Sequence, residues 1–98
     1  MAHSIKAAGF VVEPKNGFAI YGIGATEDEA WADVVDAVGY FQDRFGNDIS
    51  PEEARETQFD IVPATAALMQ KVRDEGGQIG WTHVDGIACT DTEEEYGG

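Results

Sequence analysis

The chain has 98 residues, 43% of them hydrophobic, and carries 19 acidic against 6 basic side chains for a formal net charge of −13. That length fits one domain with one core, and the apolar fraction is too high for a disordered chain. The charge excludes the basic footprint of a direct nucleic-acid binder and disfavours anionic membrane surfaces, which leaves a basic protein surface, a cation or water alone as the counterpart.

The chain begins with Ile5 to Val12, an apolar run with Gly9 inside it. Pro14-Lys15-Asn16-Gly17 supplies turn chemistry and Phe18 to Ile23 alternates, so a hairpin is predicted around the Asn-Gly pair. Thr26-Glu27-Asp28-Glu29 is a capping box with acids at the positive end of the helix dipole. It predicts a helix from Glu27 to about Phe45, stopped by Gly46, with Trp31, Val34, Val35, Val38, Phe41 and Phe45 as its apolar stripe. Ser50-Pro51-Glu52-Glu53 starts a short exposed helix, with Ala54 its only apolar surface before Phe59. Phe59, Ile61 and Val62 read as a brief strand or a core-anchoring loop, ended by Pro63. Ala64 to Glu75 predicts another helix with Leu68, Met69 and Val72 inward and Gly76-Gly77 as its stop. Ile79 to Cys89 predicts a second hairpin, with Asp85-Gly86 as a type I′ turn between Val84 and Ile87.

This order, β-β-α-(α)-(β)-α-β-β, predicts an α+β fold. An antiparallel sheet of four or five strands from two hairpins carries one long and one shorter helix packed on one face. Residues 1–90 form a single domain, and 91–98 form an acidic tail. The single cysteine, Cys89, excludes an intrachain disulfide. No run approaches the ~20 apolar residues of a membrane span and no apolar run follows a basic flank at the start, so a cytoplasmic location is expected.

The residues that could support catalysis are poorly disposed for it. In a hairpin with a two-residue turn, Val84 pairs with Ile87, His83 with Ala88 and Thr82 with Cys89, so His83 and Cys89 point to opposite faces and form no dyad. His3, His83 and Cys89 have no zinc-like spacing, and Asp91-Thr92-Glu93-Glu94-Glu95 lacks the alternation of a calcium loop. Gly22-Ile23-Gly24-Ala25-Thr26 lacks the third glycine and the lysine of a phosphate loop, and the acids after it repel phosphate. No catalytic residue, metal or cofactor is therefore expected.

The most specific signal lies on the first long helix. At about 100° per residue, Asp33, Asp36, Tyr40 and Asp43 fall within about 40° of Glu29, a row roughly 21 Å long opposite the apolar stripe. No Lys or Arg interrupts it, although i,i+4 pairs of mixed sign would stabilise a solvated helix. A line of negative charge resembles a nucleic-acid strand, with one charge per ~3.4 Å. Glu29, Asp33, Asp36, Tyr40 and Asp43 are thus the candidate partner-binding residues. Their expected partner is a basic nucleic-acid-binding protein, its Arg and Lys meeting the carboxylates and Tyr40 acting as aromatic anchor.

The segment from Gly17 to Phe45 resembles the start of HicB-type antitoxin domains, matching at Gly22, Ala25, Thr26, Glu29, Ala30 and Ala37. That resemblance implies an antitoxin binding a basic RNase toxin. The small, acidic profile is similar by type to phage-encoded anti-CRISPR inhibitors, which implies a non-enzymatic block of a CRISPR effector's nucleic-acid site. The second likeness is preferred because the hairpin from Ile79 to Cys89 has no HicB counterpart. A third reading is a structural homodimer built on exposed aromatics such as Tyr21 and Trp81.

Overall fold

A computed structural model describes residues 5–17 and 19–91. Hydroxyl caps start the three helices found among these residues. Thr26 Oγ1 accepts from the Glu29 N–H at 3.1 Å and opens α1 (Glu27–Val38). Ser50 does the same for α2 (Pro51–Thr57), where Pro51 needs no N–H partner, and Thr65 for α3 (Ala66–Glu75), which ends at Gly76.

The strands are β1 (Gly9–Pro14), β2 (Gly22–Gly24), β3 (Phe41–Gln42), β4 (Asp48–Ile49), β5 (Phe59–Ala64), β6 (Thr82–Val84) and β7 (Ile87–Cys89). They make a five-stranded sheet in the order β2-β1-β5-β7-β6 and a separate β3-β4 pair. The fold is α+β, as the sequence predicts. The sheet, however, is mixed rather than antiparallel throughout, because α3 carries the chain across and β7 runs parallel to β5 at Ala64–Ala88. There are also three helices rather than one long and one shorter.

The helices do not share one face either. Val11 and Val12 are neighbours on β1, both wholly buried, and side chains alternate along a strand. Val12 packs with Ala30, Trp31 and Val34 of α1 and Ala54 of α2, whereas Val11 packs with Leu68 and Met69 of α3. Helices therefore cover both sides of the sheet, and strands covered on both sides carry adjacent apolar residues, as in Val11-Val12 and Ile61-Val62.

The predicted long helix is shorter than expected. It ends at Val38, and Gly39 with φ 85° is its C-cap, donating its N–H to Val35 O. Gly46 does adopt a left-handed φ of 84°, but as a turn residue between β3 and β4. Phe59 to Val62 belongs to a central strand that continues through Pro63, which sits opposite Phe10. Both predicted hairpins form, but the first does not close tightly at Asn16-Gly17: its ladder stops at Val12–Gly22, β2 overlaps only the end of the Phe18–Ile23 run, and Phe18 lies outside the described residues. The second has the expected register, with φ of 53° at Asp85 and 80° at Gly86, as a type I′ turn requires. Glu13 on β1 anchors it. Glu13 Oε2 accepts from Trp81 Nε1 at 2.6 Å and meets His83 Nε2 at 2.7 Å, over the α3 side of the sheet. The predicted tail lies outside the described residues from 92 onward. No helix among the described residues is long and apolar enough to cross a membrane.

α1 seats directly on β2. A Cβ at Gly22 would lie 2.6 Å from both Ala30 O and Val34 Cγ2, whereas one at Gly39 would meet nothing. Gly22→Ala should thus cost roughly 1–3 kcal/mol through overpacking. Gly39→Ala should cost about 1–2 kcal/mol through backbone conformation alone. Urea midpoints check both, and an unchanged midpoint for Gly22→Ala would contradict the close seating of α1.

Candidate functional site

The five predicted site residues do not lie on one helix face. Glu29, Asp33 and Asp36 belong to α1, but Tyr40 follows its end and Asp43 sits in the β3–β4 turn. Three of the carboxylates are engaged by the protein's own backbone. Glu29 Oε2 accepts from the Ala25 N–H at 3.0 Å, which completes the capping box. Asp33 Oδ2 accepts from the Ile23 N–H of β2 at 3.0 Å. Asp43 Oδ1 accepts from the N–H groups of Phe45 and Asn47 at 2.8 and 2.9 Å. Asp36 is exposed and has no such partner among the described residues.

What the structure gathers instead is aromatic. The exposed large apolar residues among the described ones are Tyr21, Val38, Tyr40 and Phe45, at 44, 38, 69 and 74% exposure, and all four line a single groove of about 760 Å³. Buried Phe41 and Phe59 form its base. The Tyr21 and Phe59 rings lie 5.3 Å apart, and Phe41 stacks on Trp31 at 5.4 Å with the planes 21° from parallel. Gln58 Nε2 donates to Gln42 O at 2.7 Å and ties the end of α2 to β3. Arg44 lies over the Phe45 ring at 4.8 Å, and Asp43 and Glu53 add carboxylates to the rim.

Contiguous exposed apolar surface of this kind marks interaction sites, and Tyr and Arg are the residues interfaces favour. Of this group, Tyr40 and Asp43 were predicted site residues, while Tyr21, Val38 and Phe45 were not. Helical spacing assigns Phe45 to the buried stripe, whereas the structure exposes it. Gly39 was the available signal, since a break there releases Tyr40 to Phe45 from helical spacing.

Cys89 is wholly buried, and His83 is exposed and faces the other way across β6–β7. No group of three or more His, Cys, Asp or Glu among the described residues is placed to hold a metal ion. The chain matches no family model, no curated protein and no solved structure.

The turn that carries Phe45 depends on an ionised Asp43. The Asn47 N–H, ahead of the other contributions, holds this carboxyl below the ordinary aspartate value. A lowered folded-state value stabilises the turn above the unfolded aspartate range, and that stability is lost as pH falls through the lower value. Protection of the Phe45 and Asn47 amides, measured against the unfolded-chain exchange rate at the same pH, should thus hold above the ordinary aspartate range and be lost as pH falls through the lowered Asp43 value. Asp43→Ala should abolish the protection at neutral pH, and equal protection in the variant would show that the turn holds without the carboxylate.

Proposed function

We propose that the protein is a non-catalytic binding protein that inhibits a basic, nucleic-acid-binding partner by covering its nucleic-acid site. The observation that carries this reading is the convergence of Tyr21, Val38, Tyr40 and Phe45 on one groove, in a chain of net charge −13. The aromatic groove anchors the partner and desolvates the contact, and the acidic surface supplies attraction and fast encounter. A CRISPR effector complex is the preferred partner class, and a basic RNase toxin the second. The opposed placement of His83 and buried Cys89 supports a role without covalent chemistry.

Placing the site at the groove changes which carboxylates are expected to contact the partner. Glu29, Asp33 and Asp43 hold local structure, so Asp36 and Tyr40 are the predicted residues able to act outward without loss to the fold. Immobilised protein should capture from bacterial lysate a basic nucleic-acid-binding protein that duplex DNA and salt both release. The double variant Asp36→Lys with Tyr40→Ala should weaken that capture by about tenfold or more while keeping the wild-type unfolding midpoint, since both side chains are exposed. Undiminished capture by the variant, or capture that DNA does not displace, would overturn the reading.

A further inference from the structure

β5 has β1 beside it along its whole length, but β7 registers with it only at Ala64. In an antiparallel ladder, successive residues turn their backbone groups to opposite sides. The Lys15 N–H donates to Gln58 O at 2.9 Å, so Gln58, Asp60 and Val62 address β1 while Phe59, Ile61 and Pro63 face away. The Thr65 N–H, on that second side, donates to Ala88 O at 3.0 Å. Before that point no strand among the described residues pairs with Phe59 or Ile61 on this side, and their N–H and C=O groups form an open edge. Pro63 has no N–H to offer there, so the edge ends at Ile61. The outer strand β2 differs, because its outward Ile23 N–H is already taken by Asp33.

A cavity of about 560 Å³ lies against this edge. Its apolar part is Trp31, Phe59 and Ile61, and Glu27, Glu52 and Glu56 line the remainder. Lys15 and Arg55 also line it, but each is matched, Lys15 to Asp60 at 2.7 Å and Arg55 to Asp28 at 3.1 Å. Glu27, Glu52 and Glu56 have no basic partner among the described residues.

We infer that this edge takes up an extended, basic peptide segment of a partner protein as an added strand. Main-chain groups of the segment pair with Phe59 and Ile61, its Lys or Arg side chains meet Glu27, Glu52 and Glu56, and its apolar side chains rest on Trp31 and Ile61. Backbone complementarity requires an extended segment, and the three unmatched carboxylates require a cationic one. The site shares Phe59 alone with the lining of the aromatic groove, and either proposal can fail without the other.

The test uses the isotope-labelled full chain and a capped hexapeptide of alternating lysine and valine. Saturable amide shifts centred on Phe59 and Ile61 are expected. Methylating the peptide's backbone nitrogens at alternate positions should weaken binding by about tenfold or more, as loss of edge pairing predicts. A glutamate-valine peptide should not bind. Glu52→Gln with Glu56→Gln should weaken binding severalfold without shifting the unfolding midpoint, both residues being exposed. Equal affinity for the methylated or the acidic peptide, absence of binding, or shifts confined to other residues would each overturn the proposal. So would concentration-dependent shifts at Ile61 in the protein alone, which would make a second copy the occupant.

Discussion

Phe41 stacks on Trp31, and it does so only because the chain leaves α1 before reaching it. In an uninterrupted helix, ten residues at about 1.5 Å each would put the two side chains some 15 Å apart along the axis. With the turn at Gly39 their rings lie 5.4 Å apart, and both also pack on Phe59. Burying a Phe contributes about 1.5–3 kcal/mol, and a well-placed aromatic pair a further 0.5–1.5 kcal/mol. Continuing the helix would offer a few more backbone bonds but would keep a mid-helix glycine, at a cost of about 1 kcal/mol. Core packing thus outweighs helix extension. The helix stop, the β3–β4 pair and the groove between them all follow from the entry of Phe41 into the core.

Acidic charge at this density opposes folding through self-repulsion. On α1, Glu29 and Asp33 are four residues apart and Asp33 and Asp36 three, which are spacings where like charges repel. The structure offsets this by directing carboxylates at backbone N–H groups. Glu29 serves the helix start, Asp33 seals the outward N–H of β2, and Asp43 organises the β3–β4 turn. Hydrogen bonds with an ionised acceptor are stronger than neutral ones, so these three carboxylates, unpaired by any basic side chain among the described residues, each have a structural use. Asp33 has a second consequence, because a sealed edge resists pairing with another chain.

Local chemistry was therefore legible where it is short-range. The Thr26, Ser50 and Pro51 signals, the glycine stop after Glu75 and the Asp85-Gly86 turn depend on a few neighbouring residues, and each appears where the sequence places it. Periodicity was less reliable. Trp31, Val34, Val35 and Val38 set a helical rhythm that Phe41 and Phe45 happen to continue, and this rhythm conceals the stop signal of Gly39 between them. Phe41 is buried from a strand, and Phe45 is exposed in a turn. Pro63 reads as a terminator in the sequence because its missing N–H usually ends a strand. It is tolerated here because it faces away from β1, and sequence alone does not show which way a strand residue's N–H points. The two-sided burial of β1 and β5 was written in Val11-Val12 and Ile61-Val62, but such adjacent pairs also occur in buried helices.

Phe59 links the two surfaces proposed for binding. Its ring is at the base of the aromatic groove, against Tyr21, and also lines the cavity beside β5, against Trp31. Its backbone opens the unpaired edge. The ring is nearly inaccessible and meets Tyr21, Trp31 and Phe41, so neither surface can deform without disturbing the core. Sites supported by packed core side chains are already shaped for a partner, and the ordering cost that limits affinity is correspondingly smaller. A domain of 98 residues has few places where both apolar anchor and charge can be held in fixed geometry. In this fold they lie around one phenylalanine, where the end of α2 meets the central strand.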